Sequence, residues 1–288
     1  MNYFLQIGIL ASIYSTLAIG LNLVMGRTKL LSLAQAAFYG IGAYAVAILT
    51  TYFHFNFFVA LLVGIICSMA VAFVLGMILS KLKEDYYLLG TLGFTIIFYN
   101  VARNWESLTN GAYGIRSIPK PMIFGTGIVT VPYYFLFSII ICSLVYLLAY
   151  LIEKSSFGRV LNAIRDDEEA LKIFGYKTHS FKIIVFMIGA AFAAVGGSLF
   201  AGYITYIDPT SFTVLESIVV WVMIILGGLG SLEGAVLGAC IITILPEALR
   251  FVGFPTEIAA HMRELLYGLV IVLMMLWRPK GMWGKYKL

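Results

Sequence analysis

The sequence predicts an all-α polytopic integral membrane protein with about nine transmembrane helices, in a range of about eight to ten, at the usual cost of about 20 apolar residues per crossing. Its N-terminus is expected outside and its C-terminus in the cytoplasm. Three observations predict this. Of 288 residues, 61% are hydrophobic and only 11% are charged, whereas a soluble domain carries about 45–50% apolar and about 25% charged residues. No charged side chain occurs in residues 1–26, 30–80, 86–102, 121–152, 183–207 or 217–232. The Lys and Arg residues that do occur gather in alternate connections. Composition thereby excludes a soluble enzyme, a disordered chain and a disulfide-rich secreted scaffold. It also removes the nucleic-acid reading that a net charge of +5 would otherwise invite.

Each charge at the bilayer centre costs about 2.5–3.5 kcal/mol, so charges mark the ends of spans. Spans are expected at 4–25, 31–51, 57–80, 87–104, 133–152, 182–203, 215–230, 234–252 and 258–277. The runs are apolar on all sides rather than alternating, which favours helices over the strands of a membrane barrel. With the loop after residue 153 placed inside, the inner connections hold 14 of the 19 basic residues: Arg27, Lys29, Lys81, Lys83, Lys154, Arg159, Arg165, Lys172, Lys177, Lys182, Arg278, Lys280, Lys285 and Lys287. Arg103, Arg116, Lys120, Arg250 and Arg263 fall outside, as the positive-inside rule requires. Residues 1–26 lack a basic leading region and a small-x-small cleavage site, so they are read as the first span and not as a signal peptide. The whole of 1–288 reads as a single transmembrane domain, multi-pass, with the lipid bilayer as its solvent.

Two segments interrupt the apolar text. The outer loop 105–132 is rich in turn signals, among them Asn110-Gly111 and Gly125-Thr126-Gly127. The inner loop 153–181 is strongly charged. Within it Phe157, Val160, Leu161 and Ile164 have helical spacing. Asp166 with Glu169 three residues on suggests a capping box for a short amphipathic helix. Ala170, Leu171, Ile173 and Phe174 would form its apolar face, and Gly175 stands where a helix ends. In the sixth span Gly189, Ala193, Gly197 and Ala201 recur every four residues, a pattern that lets helix backbones approach closely in lipid. Between the seventh and eighth spans lies Leu226-Gly227-Gly228-Leu229-Gly230-Ser231. A glycine-broken stretch of this kind is either a tight inner turn or the break of a discontinuous helix beside a transport path.

The chemistry of a self-sufficient machine is missing. There is no phosphate-binding Gly-x-x-x-x-Gly-Lys-Ser/Thr, no His-Glu-x-x-His and no Gly-x-Ser-x-Gly. Cys67, Cys142 and Cys240 have no metal or disulfide spacing. No enzyme activity or cofactor is expected of this chain. Asn22, Gln35 and Asn100 are the main polar residues in or near spans, and in lipid such groups face other helices or a cavity. Acids are scarce inside the spans, which argues against ion coupling and for energy supplied from elsewhere.

Several stretches resemble one known family. They are Leu21-Asn22-Leu23-Val24-Met25-Gly26-Arg27-Thr28, Leu31-Ser32-Leu33-Ala34-Gln35-Ala36-Ala37-Phe38-Tyr39-Gly40, Leu108-Thr109-Asn110-Gly111, Gly158-Arg159-Val160-Leu161-Asn162-Ala163-Ile164-Arg165-Asp166, Leu226 to Ala235, and Arg278-Pro279-Lys280-Gly281. Together they resemble the transmembrane subunits of bacterial branched-chain amino-acid ABC importers, of the LivM-like type, nearly end to end. Glu169-Ala170-Leu171-Lys172-Ile173-Phe174-Gly175 is similar to the Glu-Ala-Ala-x-x-x-Gly pattern of ABC permeases. The resemblance implies a permease in the bacterial cytoplasmic (inner) membrane that moves Leu, Ile and Val. It implies a second, LivH-like permease, two cytoplasmic ATPase subunits that use the ATP and Mg2+, and an extracytoplasmic substrate-binding protein. It implies ATPase docking at Arg159, Arg165, Asp166, Glu169, Ala170, Leu171, Phe174 and Gly175. The path would be lined by Gln35, Gly40, Asn100, Gly227, Gly228 and Gly230. The binding protein would meet Asn110, Gly111, Tyr113 and Arg116. Urea, amides or other amino acids are the alternative cargo. A stand-alone carrier or channel and an integral-membrane enzyme are the alternatives in kind.

Overall fold

The structure, a computed structural model, describes residues 2–82, 84–123, 126–128 and 130–251, with residues 265, 267–269, 272, 273, 276, 278 and 281–284 beyond them. Up to residue 251 there are eleven α-helices: α1 (Asn2–Thr28), α2 (Gln35–Thr51), α3 (Phe57–Leu79), α4 (Glu84–Asn104), α5 (Glu106–Thr109), α6 (Val131–Lys154), α7 (Ser156–Asp166), α8 (Glu168–Ile173), α9 (Thr178–Ile204), α10 (Val214–Gly227) and α11 (Leu232–Phe251), with short 3-10 turns at Gly111–Tyr113 and Pro209–Phe212. Among the described residues, α1, α3, α6 and α9 are long and apolar enough to cross a membrane, while α2, α10 and the first part of α11 are shorter apolar helices. The expected ninth span, 258–277, falls mostly outside the described residues.

Local chemistry explains the ends. The Asn56 side chain accepts from the Phe58 N–H at 3.1 Å and opens α3. Pro132 stands in the first turn of α6, where its missing N–H costs nothing. Thr205 adopts φ +61° and closes α9. The first helices follow their expected limits closely except at the start of α2. There the chain does not become helical until Gln35, because residues 29–34 take a non-helical course, opening on Lys29 at φ +56°.

The core lies on α1, α2 and α9. Buried positions make up 78% of the apolar windows of α1 and α9 but only 22% of those of α3 and α6. The small residues of α9 work as their spacing predicts. A Cβ on Gly197 would overlap the Tyr39 carbonyl of α2, and one on Gly42 would overlap the Ala194 backbone of α9. On another face, Gly189 sits 3.1 Å from the Gly20 carbonyl of α1, measured from where its Cβ would be. Side-chain hydrogen bonds fix the same crossings: Ser68 donates to the Ala190 carbonyl at 2.9 Å and Ser198 to that of Gly42 at 3.3 Å. By contrast, Leu62, Ile66 and Ile78 of α3 and Leu136, Ile140 and Leu144 of α6 point outward. Such faces would be costly in water and match hydrocarbon.

The helices alternate between two ends of the bundle. One end, the basic end, gathers the C-terminus of α1, the α3–α4 turn, the α6–α9 connection and the α10–α11 turn. At the other end two short strands, β1 (Ile115–Arg116) and β4 (Tyr206–Ile207), pair antiparallel with Ile115 opposite Ile207. Between them in sequence, β2 (Met122–Ile123) pairs with β3 (Thr126–Gly127). Residues 281–284 lie back at the basic end, where the Met282 and Trp283 N–H groups donate to the Leu226 and Gly227 carbonyls at 3.0 and 2.9 Å.

Candidate functional site

At the basic end the charged connection folds into two helices that meet at a corner. The Ser155 hydroxyl accepts from the Gly158 N–H and starts α7, whose Leu161 and Ile164 are buried. Asp167, not the expected Asp166, caps α8, accepting from the Ala170 N–H at 3.0 Å. The reason is that the apolar spacing of α7 carries its last turn through Asp166, which leaves the next residue at the corner. The end of α8 is as expected. Gly175 adopts φ +83°, its N–H donates to Lys172, and the Tyr176 N–H reaches back to Leu171 at 3.1 Å. Both bonds together make a Schellman stop.

This corner is braced from behind and bare in front. Glu168 bonds Lys182, and it accepts from the Thr178 hydroxyl at 3.0 Å. Burial pushes the Glu168 carboxyl up, but the hydrogen bond and charge of Lys182, helped by Thr178 and Lys172, outweigh it and hold the group below the usual carboxylate range. Lys172 is held above its ordinary value by its hydrogen bond to Glu169. In front, Ile173 is 86% and Phe174 79% exposed. Beside them lies a cleft of about 630 Å³ with Lys29, Lys81, Asp85 and Asp166 on its walls.

Of the residues expected on this surface, Arg159, Asp166, Glu169, Phe174 and Gly175 are exposed, while Ala170 and Leu171 are half-buried. Arg165 is not there. It is buried, and its guanidinium donates to the Met25 and Gly26 carbonyls at 3.2 and 2.7 Å, the last turn of α1. Arg27, on that same turn, pairs with Glu153 and donates to Asn162 at 3.0 Å and to the Gly230 carbonyl at 2.9 Å.

The glycine stretch is a turn. Gly228 and Gly230 have φ +114° and +76°, and Asn22 holds the turn by donating to the Ser231 carbonyl at 2.7 Å and accepting from the Gly230 N–H at 2.9 Å. Gly227 touches the Gly234 backbone, and Gly228 touches that of Gly284. The non-helical backbone inside the bundle lies instead at 29–34, which the sequence reading took into a helix from residue 31. Gln35 donates to the Leu17 carbonyl at 2.9 Å, ten residues or about 15 Å along α1 from Arg27. α2 therefore begins deep within the bundle. Irregular backbone at that depth needs partners, and side chains supply them. Thr95 and Ser217 donate to the Leu33 carbonyl at 2.8 and 2.7 Å. Thr91 accepts from the Leu33 N–H at 3.0 Å. Trp221 donates to the Ser32 carbonyl at 2.7 Å.

Near this break, the Tyr14 hydroxyl of α1 donates to Glu216 of α10. The Tyr39 hydroxyl is buried and has no hydrogen-bond partner among the described residues. Gly40 abuts the rings of Phe98 and Phe212. Gln35 and Gly40 are thus brought together with residues that the sequence reading did not single out. Ser, Thr and Tyr inside apolar helices carry no signal of their own until the segment they serve is known to be non-helical. Asn100 is elsewhere: it is exposed on the outer face of α4 and donates to the Ile96 carbonyl of its own helix at 2.8 Å.

At the opposite end Asn110 adopts φ +60° and donates to the Gly114 carbonyl at 2.8 Å. Tyr113 is exposed, Arg116 lies 5.7 Å from the centre of the Tyr206 ring, and Gly111 is buried beneath them. Asn110, Tyr113 and Arg116 therefore share one rim, with Gly111 as its support.

Comparison with known proteins points to one family of permeases. The chain is 33% identical to the high-affinity branched-chain amino acid transport system permease protein LivM of Escherichia coli strain K12, over 96% of this chain and 69% of that one. It is 28% identical to a probable LivM permease of Methanocaldococcus jannaschii over 77% of this chain and 68% of that one. It is also 26% identical to the permease protein LivH of Salmonella typhimurium, over 96% and 92%. No solved structure matches the chain. Residues 3–275 match the family described as branched-chain amino acid transport system / permease component, and the chain belongs to that family.

Proposed function

We propose that this chain is the LivM-like permease subunit of a binding-protein-dependent ABC importer that carries leucine, isoleucine and valine across the bacterial inner membrane. One observation carries the reading: a braced two-helix corner at the basic end presents Ile173 and Phe174 to solvent. Large apolar side chains held bare on a rigid helix end suit the groove of a partner protein. Two cytoplasmic ATPase subunits are the proposed partners, and they bring the ATP and Mg2+. A LivH-like permease would complete the membrane part, since LivH-type chains match this one along nearly its whole length. An extracytoplasmic binding protein would seat on the rim of Asn110, Tyr113 and Arg116.

The orientation follows the same logic. The count of fourteen basic residues against five supports a cytoplasmic α7–α8 corner. α11 ends at the opposite end of the bundle and residues 281–284 are back at the basic end, so one more crossing is proposed between them. That makes nine, with the N-terminus outside. The proposed path passes the break at 29–34, where α2 begins deep in the bundle beside Gln35 and Gly40. This is the kind of discontinuity that lines transport sites.

Reconstitution tests the reading. Vesicles holding this chain, its companion permease, the ATPases and the binding protein should take up labelled leucine only with ATP, and vesicles holding this chain alone should take up none. Concentrative uptake by the lone chain would replace this reading with a secondary carrier. Uptake of urea or another amide in place of leucine would keep the machine and change its cargo.

A further inference from the structure

Arg27 lies in the last turn of α1, where a basic side chain commonly bonds its own helix's free carbonyls. It does not. Those carbonyls, on Met25 and Gly26, are taken by Arg165 from α7. The Arg27 guanidinium points away and joins three other segments: Glu153 at the end of α6, Asn162 in the middle of α7, and the Gly230 carbonyl of the α10–α11 turn. The two arginines therefore cross, each from one helix into the surroundings of the other. The Gly230 turn is in turn gripped by Asn22 of α1 and carries the 281–284 tail on the Leu226 and Gly227 carbonyls. Arg27, Asn22 and Arg165 are all at most 5% exposed as residues. A planar guanidinium presents five donors in a rigid fork to fixed acceptors in different directions, a geometry that the three-donor ammonium on a flexible stem does not reproduce.

We infer that Arg27 is the positioning residue that couples the α7–α8 corner to the inner end of α1 and to the α10–α11 turn, so that a displacement imposed on the corner moves these segments as one body. The inference rests on the reading above that the corner docks an ATPase. It adds the route by which that motion enters the membrane part: along α1, whose Leu17 carbonyl holds Gln35 at the start of α2.

The test uses the complete transporter in vesicles and measures complex yield, ATP hydrolysis and leucine uptake side by side. Arg27→Lys keeps a cation beside Glu153 but loses the rigid fork that spans Asn162 and Gly230. It is expected to assemble and to hydrolyse ATP like the wild type while uptake per ATP falls roughly tenfold, within the reach of changes to a coupling network. Asn162→Leu removes one acceptor and leaves the ion pair, and should lower the same ratio by a smaller factor. If Arg27→Lys fails to insert, Asn162→Leu decides alone. Unchanged uptake per ATP in the variants overturns the inference. So does a parallel fall of yield, hydrolysis and uptake, which would make the network structural only. A wild-type complex that does not retain the ATPases overturns the docking reading, and this inference with it.

Discussion

Gly197 has no side chain, and the Tyr39 carbonyl of α2 occupies the place where one would be. Gly93 of α4 also lacks a side chain, and nothing lies within 4 Å of its missing Cβ. The same substitution should therefore act in opposite directions. Gly197→Ala forces α2 and α9 apart and should cost about 1–3 kcal/mol, the usual range for overpacking. Gly93→Ala should gain about 0.5–1 kcal/mol by stiffening a helix interior. Thermal unfolding of the two purified variants checks this, and equal shifts would show that close backbone contact does not hold α2 on α9. Glu168 makes a different kind of prediction. Its carboxyl is held below the usual range in the folded chain, so the stabilisation it gives is present above the unfolded pKa of about 4.3. It is lost as pH falls through the lowered folded value. Protection of the amides of residues 168–173, taken as exchange relative to the intrinsic rate at each pH, should hold down to the ordinary carboxylate range and fall only below it. Loss of protection near neutral pH would assign the brace to another group.

At the scale of the element, the α8 corner separates two functions that its sequence runs together. Its rear, with Glu168, Thr178 and Lys182, fastens it to α9, and its tip carries Ile173 and Phe174. Changing the tip should therefore spare the fold. Ile173→Asp with Phe174→Asp is expected to insert normally and to weaken ATPase retention by about 2 kcal/mol or more, roughly thirtyfold, as loss of buried anchors does. Full retention would place the docking surface elsewhere. Much of this element was legible in the sequence. Helical spacing, a charged border and a glycine stop all report on neighbours a few residues away. The corner moved by one residue to Asp167 for a reason that spacing alone does not show, namely how far α7 runs. Arg165 was misplaced for a stronger reason. A charged residue in a charged loop looks exposed, and only the arrival of α1's last carbonyls, from about 140 residues away, makes burial favourable for it.

The whole molecule shows the same division. Hydropathy and charge read out the membrane fold, because each span must satisfy its own backbone and end at a polar border. The break at 29–34 was not readable in that way. Residues 30–34 are apolar enough for a span, and what satisfies their non-helical backbone is the set of hydroxyls of Thr91, Thr95 and Ser217, drawn from α4 and α10. Orientation remains the property on which every functional assignment depends, since it decides which end meets ATPase and which meets substrate. Single cysteines at Phe174, Tyr113 and Trp283, all exposed, test it in a chain whose Cys67, Cys142 and Cys240 have been replaced. A membrane-impermeant maleimide on intact cells should label position 113 and should reach 174 and 283 only after permeabilisation. Positions 174 and 283 lie at one end of the bundle and 113 at the other. If 174 is labelled from outside, the charge argument is inverted and the ATPase assignment falls with it. If 174 stays protected but 283 is labelled from outside, the tail has come to rest across the bilayer from Leu226 and Gly227. The carbonyls that bind it would then have lost their partner, and the ninth crossing that closes the α10–α11 turn against the tail would have to be given up.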